Sequence, residues 1–290
     1  MTDDSLQKFT IPGHLTLNST ESGQTKATVQ TEWSHAEIHL HGAHVTSFQK
    51  NGEAPLLFLS KLSQFTPGKA IRGGVPIIFP WFGGREGYQA HGFARTAEWT
   101  LEETAKNADG SISLRFLLPE DLAPCRVEYL VTVGKALTLE LVTTNSTQEA
   151  FAYEDCLHTY FHVGSIHDVT VHGLQGTTYI DQLDGNARKA QQQENIIFSR
   201  EEDRIYLNTP SVLEIRDVGL QRKILLETSG SRSAVVWNPW IEKSARMADF
   251  GDEEYLEMVC VESGNVADNR IQLPPGGTAT LKLTLKTLIL

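Results

Sequence analysis

A histidine and a glutamate, far apart in the chain, are the strongest candidates for proton transfer. His158 lies in the aromatic stretch LHTYFH, and an imidazole in such surroundings can titrate near neutrality. In the predicted strand YLEMVCVE, alternation places Glu262 at the end of an apolar row that begins at Leu256. A carboxylate there lies either in water or at the mouth of an apolar pocket, where it could act as a general base.

Two arginines lie in segments that could bind an anion. Arg72 directly precedes a glycine pair in AIRGGVPIIFPWFGG, where proline interrupts strand pairing and glycine allows close backbone approach. The string HGFAR, read as a strand, puts His91, Phe93 and Arg95 on one side. Because a guanidinium offers paired donors to phosphate oxygens, this set suits a hydroxylated or phosphorylated ligand. A solvent-facing Arg72 and a salt-bridged Arg95 are the alternatives.

The spacing of histidines and cysteines favours neither a metal site nor a disulfide framework. His158 and His162 are four residues apart, but the segment that contains them, EDCLHTYFH, has no HxH or HExxH pattern that would complete a metal site. Cys125, Cys156 and Cys260 are odd in number, widely spaced and without a CxxC pair. We therefore expect no metal and reduced, buried thiols of the kind found in cytoplasmic proteins.

Composition argues against binding to polyanions. The 290 residues include 25 basic and 36 acidic side chains, which gives a formal net charge of −11 without any basic block. Nucleic acids and anionic membranes require clustered lysine and arginine, so neither is an expected partner. The polar N-terminus lacks the features of a secretory signal, and no apolar run approaches the ~18 residues of a membrane span. We expect a monomeric, cytoplasmic protein.

Period-2 alternation dominates the chain and predicts an all-β antiparallel sandwich. A GKA turn joins two of the predicted strands as a hairpin, and long helical periodicity is scarce. A short helix or turn is predicted at 54–60 and another at 119–122, and a long loop at 181–202. The predicted strands are 27–30, 36–40, 111–117, 126–133, 137–143, 168–171, 212–216, 223–228, 234–237, 255–261 and 278–288.

Taken in order, several strings resemble the hexose-6-phosphate 1-epimerase branch of the aldose 1-epimerase (galactose mutarotase) superfamily. The resemblance covers most of the chain and implies an all-β antiparallel β-supersandwich with few short helices, a single domain over 1–290 and no cofactor. The motifs that carry it are AIRGGVPIIFPWFG at 70–83, AHGFAR at 90–95, LHTYFHVG at 157–164, EDRIYLN at 202–208, VVWNP at 235–239 and VCVESG at 259–264.

The resemblance implies an isomerase that interconverts the α and β anomers of an aldohexose 6-phosphate, with glucose 6-phosphate as the first candidate. His158 matches the general acid of the family and Glu262 its general base. Ionised Glu262 would take the proton of the anomeric hydroxyl while protonated His158 protonates the ring oxygen. Rotation about C1–C2 and reclosure would then reverse the two roles.

The same resemblance implies the substrate contacts. Arg72 and Arg95 match positions that hold the phosphate, Asp203 matches a residue that binds sugar hydroxyls, and His91 lies beside the sugar. Some members have glutamine directly before this histidine. Alanine stands there in this chain, with Gln89 one step earlier, so Gln89 is a further substrate-binding candidate.

Other classes of protein fit parts of the pattern. A non-catalytic sugar or sugar-phosphate-binding β-sandwich module would need no acid–base pair. A metal-dependent β-barrel enzyme would use His158 and His162 as ligands. A two-carboxylate glycosidase would pair Glu262 with a second acid such as Asp203. Because the candidate residues span 72 to 262, distant strands must assemble the site, which favours one domain.

Overall fold

The structure, a computed structural model, describes residues 6–290. Its strands pair antiparallel and form sheets of four, two, eight and nine strands, which confirms the all-β prediction. In chain order the strands are β1 (Leu15–Ser19), β2 (Thr25–Gln30), β3 (Ser34–His39), β4 (His44–Lys50), β5 (Ile77–Ile78), β6 (Thr100–Lys106), β7 (Ile112–Leu117), β8 (Arg126–Val133), β9 (Leu137–Thr144), β10 (Phe151–Tyr153), β11 (Asp155–Leu157), β12 (Tyr160–His162), β13 (Val169–His172), β14 (Thr178–Asp181), β15 (Ala187–Ala190), β16 (Asn195–Ile197), β17 (Glu202–Leu207), β18 (Val212–Asp217), β19 (Arg222–Ser229), β20 (Ser233–Asn238), β21 (Met258–Asn265), β22 (Ile271–Leu273) and β23 (Thr278–Ile289).

Helices are short and lie in the connections between strands. Within residues 6–290, no helix is long and apolar enough to cross a membrane. The helices are α1 (Trp240–Ser244) and the 3₁₀ helices Gln7–Phe9, Ala94–Thr96, Ile166–Asp168, Glu254–Glu257 and Ala267–Asn269.

The two large sheets differ in how they are covered. In the nine-stranded sheet, ordered β16-β13-β18-β19-β23-β9-β8-β7-β6, alternate residues of β8 and β9 are buried, so one face is packed. In the eight-stranded sheet the order is β15-β14-β17-β20-β21-β11-β5, and β12 also pairs with β21. All residues of β20 and β21 are buried, so these central strands are covered on both faces. One hydrophobic core joins the two large sheets, and a second, smaller cluster that includes Ile78, Ile205 and Val235 packs on the eight-stranded sheet.

Most predicted strands, and the hairpin of β8 and β9, are confirmed within one or two residues. Three local predictions are wrong. Residues 54–60 are extended rather than helical, because Leu57 makes an isolated bridge to Phe161 on β12 and Leu59 makes one to Gly73. The stretch 181–202 contains β15 and β16 instead of a plain loop. The strand predicted from 255 starts only at Met258, because a 3₁₀ helix precedes it.

A fully buried histidine supports the turn that follows Arg72. His44 at the start of β4 donates from Nε2 to the carbonyl of Gly73 at 2.7 Å. Its Nδ1 is buried and has no hydrogen-bond partner in the described part of the chain, so a second proton there would have no acceptor. Burial accordingly lowers the pKa of His44 to about 3.

The substitution His44→Gln should reduce the loss of stability that acid causes. Because the folded-state pKa lies below the free value, the unfolded chain binds this proton first, and stability falls as the pH drops below about 6.5. Near pH 5 the site costs the native protein about 2 kcal/mol, whereas glutamine keeps a donor for Gly73 without titrating. Denaturant unfolding at neutral and acidic pH measures this difference. Equal acid losses in the native protein, the variant and the exposed-site control His167→Gln would contradict it.

Candidate active site

A cleft of about 300 Å³ opens beside the central strands of the eight-stranded sheet. Its floor is formed by β20 and β21, the strands that are buried on both faces. Five of the seven side chains selected from the sequence line this cleft, namely Arg72, His91, His158, Asp203 and Glu262.

Strand register brings the two candidate proton-transfer groups together. In the antiparallel pair of β11 and β21, Leu157 lies opposite Ser263. Continuing this register by one residue places His158 opposite Glu262. His158 Nε2 therefore lies 3.3 Å from Glu262 Oε1. The glutamate is only 1% exposed, which resolves the choice between water and an apolar pocket in favour of the pocket.

Burial acts on this pair in opposite directions. It raises the pKa of Glu262 well above its usual range and lowers the pKa of His158 well below its own. His91 and the charges of Arg95 and Arg72 lower the pKa of His158 further. The 3.3 Å contact can be an ion pair or a neutral hydrogen bond, and these shifts favour the neutral form, with the proton on the carboxyl. That is the reverse of the ionised state implied by the resemblance.

Aromatic neighbours hold the His158 ring in place. Tyr160 stacks on it at 4.8 Å between ring centroids, and Trp237 meets it edge-on at 6.2 Å. His91 lies 5.9 Å away in a similar edge-on arrangement. Within residues 6–290, His158 Nδ1 has no hydrogen-bond partner, so stacking and the contact of Nε2 with Glu262 orient the ring.

A thiol contacts the other oxygen of the buried carboxyl. Cys156 Sγ donates to Glu262 Oε2 at 3.5 Å, which leaves Oε1 facing His158. Close approach of the two strands depends on Gly264, since a Cβ there would lie 2.8 Å from Cys156 Cβ. Cys125, Cys156 and Cys260 are all free and buried, as predicted.

Two side chains already accept hydrogen bonds from the Arg72 guanidinium. Its Nε and Nη2 donate to Asp249 Oδ2 at 3.2 and 3.1 Å, and its Nη1 donates to the Tyr160 hydroxyl at 2.9 Å. The side chain is about a quarter exposed and is ion-paired, so the solvent-facing arginine that was the alternative from the sequence does not describe it.

The HGFAR segment is a turn followed by a 3₁₀ helix, so its prediction as a strand is wrong. His91 and Gly92 both have positive φ, and a Cβ on Gly92 would lie 1.9 Å from the Phe79 carbonyl oxygen. The turn directs His91 into the cleft, where its Nδ1 accepts from the Gly83 amide at 3.3 Å. Burial, with Arg95 and Arg72 nearby, lowers the pKa of His91 to about 3.

Two of the selected residues lie outside the cleft lining. Arg95 donates from Nη2 to the Ala90 carbonyl at 2.8 Å, and its Nε is buried without a partner in the described structure. Gln89 is exposed and donates to the Thr96 hydroxyl at 2.9 Å. The Arg95 charge nevertheless acts on His158 and Glu262, whereas Gln89 is hydrogen-bonded to Thr96.

The far end of the cleft contains residues that the sequence reasoning missed. Asp203 on β17 accepts from Gln182 Nε2 and lies 3.5 Å from Lys243 Nζ. The Lys243 ammonium group also lies 5.5 Å from the centre of the Trp237 ring. Trp237 belongs to the hydrophobic core and also lines the cleft, and nothing in the local pattern distinguishes Gln182 or Lys243 from surface residues. The sequence offers one indication for Lys243, namely that its helix, α1, directly follows the WNP motif.

Among residues 6–290, no group of three or more histidine, cysteine, aspartate or glutamate side chains is arranged to hold a metal ion. His162, the second member of the metal alternative, lies on β12 and does not line the cleft. The donor set beside His158 is one buried carboxyl that already contacts its Nε2.

The chain is similar in sequence and in fold to several known proteins. Residues 26–286 match the family model described as aldose 1-epimerase. A Cenchrus ciliaris protein named "Putative glucose-6-phosphate 1-epimerase" is 38% identical over 256 residues, covering 83% of this chain and 78% of its own. An Escherichia coli protein of the same name is 35% identical, with 81% of each chain covered. The crystal structure of a Salmonella typhimurium protein described as a putative mutarotase superposes with a TM-score of 0.89 at 30% identity, covering 97% of this chain and 96% of that one.

The protonation state of the His158–Glu262 pair can be read directly. Because burial lowers the pKa of His158 well below that of a free histidine, we expect its imidazole to stay neutral at a pH where a free histidine, with a pKa of about 6.5, is already protonated. Ring ¹⁵N chemical shifts in a pH titration report this state, and His158→Asn identifies the resonance. A protonation midpoint at or above the free value would show instead that the pair is an ion pair in the empty cleft.

Proposed function

The chain belongs to the aldose 1-epimerase family, and on that basis we propose that it interconverts the α and β anomers of an aldohexose 6-phosphate. Family membership bears out the predicted class, an isomerase of the mutarotase type. The observation that carries the proposal is the contact between His158 and Glu262 at 3.3 Å inside a cleft that also holds Arg72. Glucose 6-phosphate is the first substrate to test, because relatives at 34–38% identity carry its name.

The pair can supply an acid and a base at once because it holds one exchangeable proton. Ring opening removes the proton from the anomeric hydroxyl and adds one to the ring oxygen. Whichever of His158 and Glu262 is protonated donates, and the other accepts, so opening moves the proton across the pair. Rotation about C1–C2 and reclosure return it. Each proton transfer contributes about 10²–10⁴-fold to the rate.

The phosphate of the substrate would also influence where that proton lies. Arg72 and Arg95 both lower the pKa of His158, because their positive charges oppose its protonation. A phosphate bound by the two guanidinium groups offsets these charges and favours imidazolium with carboxylate. Substrate binding would thereby bring the pair to the state that the family mechanism requires, with Glu262 as base and His158 as acid.

The remaining assignments follow from position in the cleft. Asp203 and His91 line it and would contact sugar hydroxyls, while Gln89 stays a candidate that needs movement to reach the substrate. We further propose that residues 1–290 form one domain, because the cleft takes side chains from position 72 to position 262. A cytoplasmic location and a monomeric state stay predictions.

Removal of either group of the acid–base pair should abolish most of the catalysed exchange. Glu262→Gln keeps the shape but loses the base, and His158→Ala loses the acid, so each should lower kcat by about 10²-fold or more. NMR exchange spectroscopy of α- and β-glucose 6-phosphate measures the rate above background. A folded protein that binds the sugar phosphate without exchange would identify the non-catalytic module, and unchanged rates in both variants would refute the assignment.

Loss of either arginine should be selective for the phosphorylated sugar. Arg72→Ala and Arg95→Ala should each raise KM for glucose 6-phosphate by about tenfold or more, since a charged hydrogen-bond donor to the phosphate is lost. The KM for unphosphorylated glucose, measured in the same way, should change by less than about twofold, because glucose has no phosphate to lose a contact. Equal losses for the two sugars would exclude a phosphate role for these side chains.

A further inference from the structure

One segment supplies a counter-ion to each of two charged side chains that line the cleft. The 240–250 segment runs from α1 into the following turn and carries Lys243 and Asp249. Lys243 Nζ lies 3.5 Å from Asp203 Oδ2, and Asp249 Oδ2 lies 3.1 Å from Arg72 Nη2. Both partners line the cleft and are the residues proposed above to contact the sugar and the phosphate.

The segment is fixed at both ends to the central strands. Asn238, the last residue of β20, accepts from the Trp240 amide at 2.9 Å. Its Nδ2 donates to the carbonyls of Tyr255 and Met258 at 2.9 Å, beyond the other end of the segment. Trp240 has a φ of 55°, a conformation that a bulky residue adopts only where its surroundings impose it. Lys243 and Asp249 are therefore held relative to the catalytic strands rather than displayed on a free loop.

The contacts of Arg72 leave a defined part of its guanidinium free. Of its five N–H donors, Nε and one on Nη2 go to Asp249, and one on Nη1 goes to Tyr160. The two remaining donors, one on each terminal nitrogen, are the pair left available to phosphate oxygens. Asp249 thus fixes the rotation of the guanidinium without occupying that pair.

At the other end, Lys243 compensates a carboxylate that burial disfavours. Burial raises the pKa of Asp203, while Lys243 and the amide of Gln182 lower it. The lysine also contacts Glu201 Oε1 at 3.1 Å and lies over the Trp237 ring, so its position is fixed by three neighbours. An ionised Asp203 is a strong acceptor for sugar hydroxyls, and Lys243 keeps it ionised and oriented.

We propose that the 240–250 segment is the specificity element of the cleft, in which Asp249 positions Arg72 for the phosphate and Lys243 positions Asp203 for the sugar. The inference rests on the proposed function, but it also requires that the two ends of one segment affect two different parts of the substrate. Asp249 should affect the reaction of phosphorylated sugars only, whereas Lys243 should affect the reactions of phosphorylated and free sugars alike.

The phosphate end is tested with Asp249→Asn, which keeps the size of the side chain and removes its charge. We expect kcat/KM for glucose 6-phosphate to fall by about tenfold, mainly through KM, with glucose changed by less than about twofold. In an Arg72→Ala background the same substitution should have no further effect, because it acts through Arg72. Asp252→Asn, an exposed neighbour, is the matched control.

The sugar end is tested with Lys243→Met, which keeps the aliphatic chain over Trp237. We expect kcat/KM to fall by about tenfold for glucose 6-phosphate and by the same factor for glucose. This loss should disappear in an Asp203→Ala background. Glu242→Gln, exposed on the same helix, should behave like the native protein.

Several results would overturn the inference. Tighter binding of glucose 6-phosphate by Asp249→Asn would make Asp249 a competitor of the phosphate rather than a support for Arg72. Equal effects of Asp249→Asn on both sugars, or additive effects with Arg72→Ala, would show that the ion pair between Asp249 and Arg72 has only a structural role. If the native protein exchanges neither sugar, the proposed function itself fails, and this outcome is visible before any variant is made.

Discussion

The burial of one carboxyl group, within a strand that is covered on both faces, is the constraint on which the rest of the site depends. Glu262 lies near the middle of β21, where every residue is buried. A carboxylate in such a place loses its hydration and either keeps its proton or needs donors and positive charge around it. The structure provides a thiol on one oxygen, an imidazole on the other and Arg95 at longer range. Each of these features is explained by the need to hold that group.

The antiparallel sheet makes this arrangement possible because it brings residues that are far apart in the sequence close together in space. Cys156 and His158 are more than one hundred residues from Glu262, yet the register of β11 on β21 places them on its two oxygens. The close approach depends on the absence of a side chain at Gly264. A shift of one residue in this register would exchange the faces of the strand and separate the pair. Packing of the core therefore maintains the chemistry of the site directly.

Sequence patterns predicted those parts of the protein that are governed by local rules. Alternation identified the strands, and the ordered motifs placed five of seven selected side chains in one cleft. The errors lie where tertiary contacts outweigh local preference. HGFAR became a turn because Gly92 must pass against the Phe79 carbonyl, and residues 54–60 became extended because they make bridges to Phe161 and Gly73. Lys243 was missed because an exposed lysine on a short helix carries no local sign of the aspartate it will meet.

The overall charge of the chain illustrates the difference between a bulk property and a local one. A net charge of −11 opposes binding to polyanions, whose many phosphates sample the whole surface. A single phosphate monoester experiences only the charges within a few ångströms, because screening removes the rest beyond about 10 Å. Arg72 and Arg95 both act on the buried pair, and Asp249 neutralises only one side of the first. An acidic protein can thus hold a locally positive site, and the burial that shifts the catalytic pKa values also strengthens the attraction of that site for an anion.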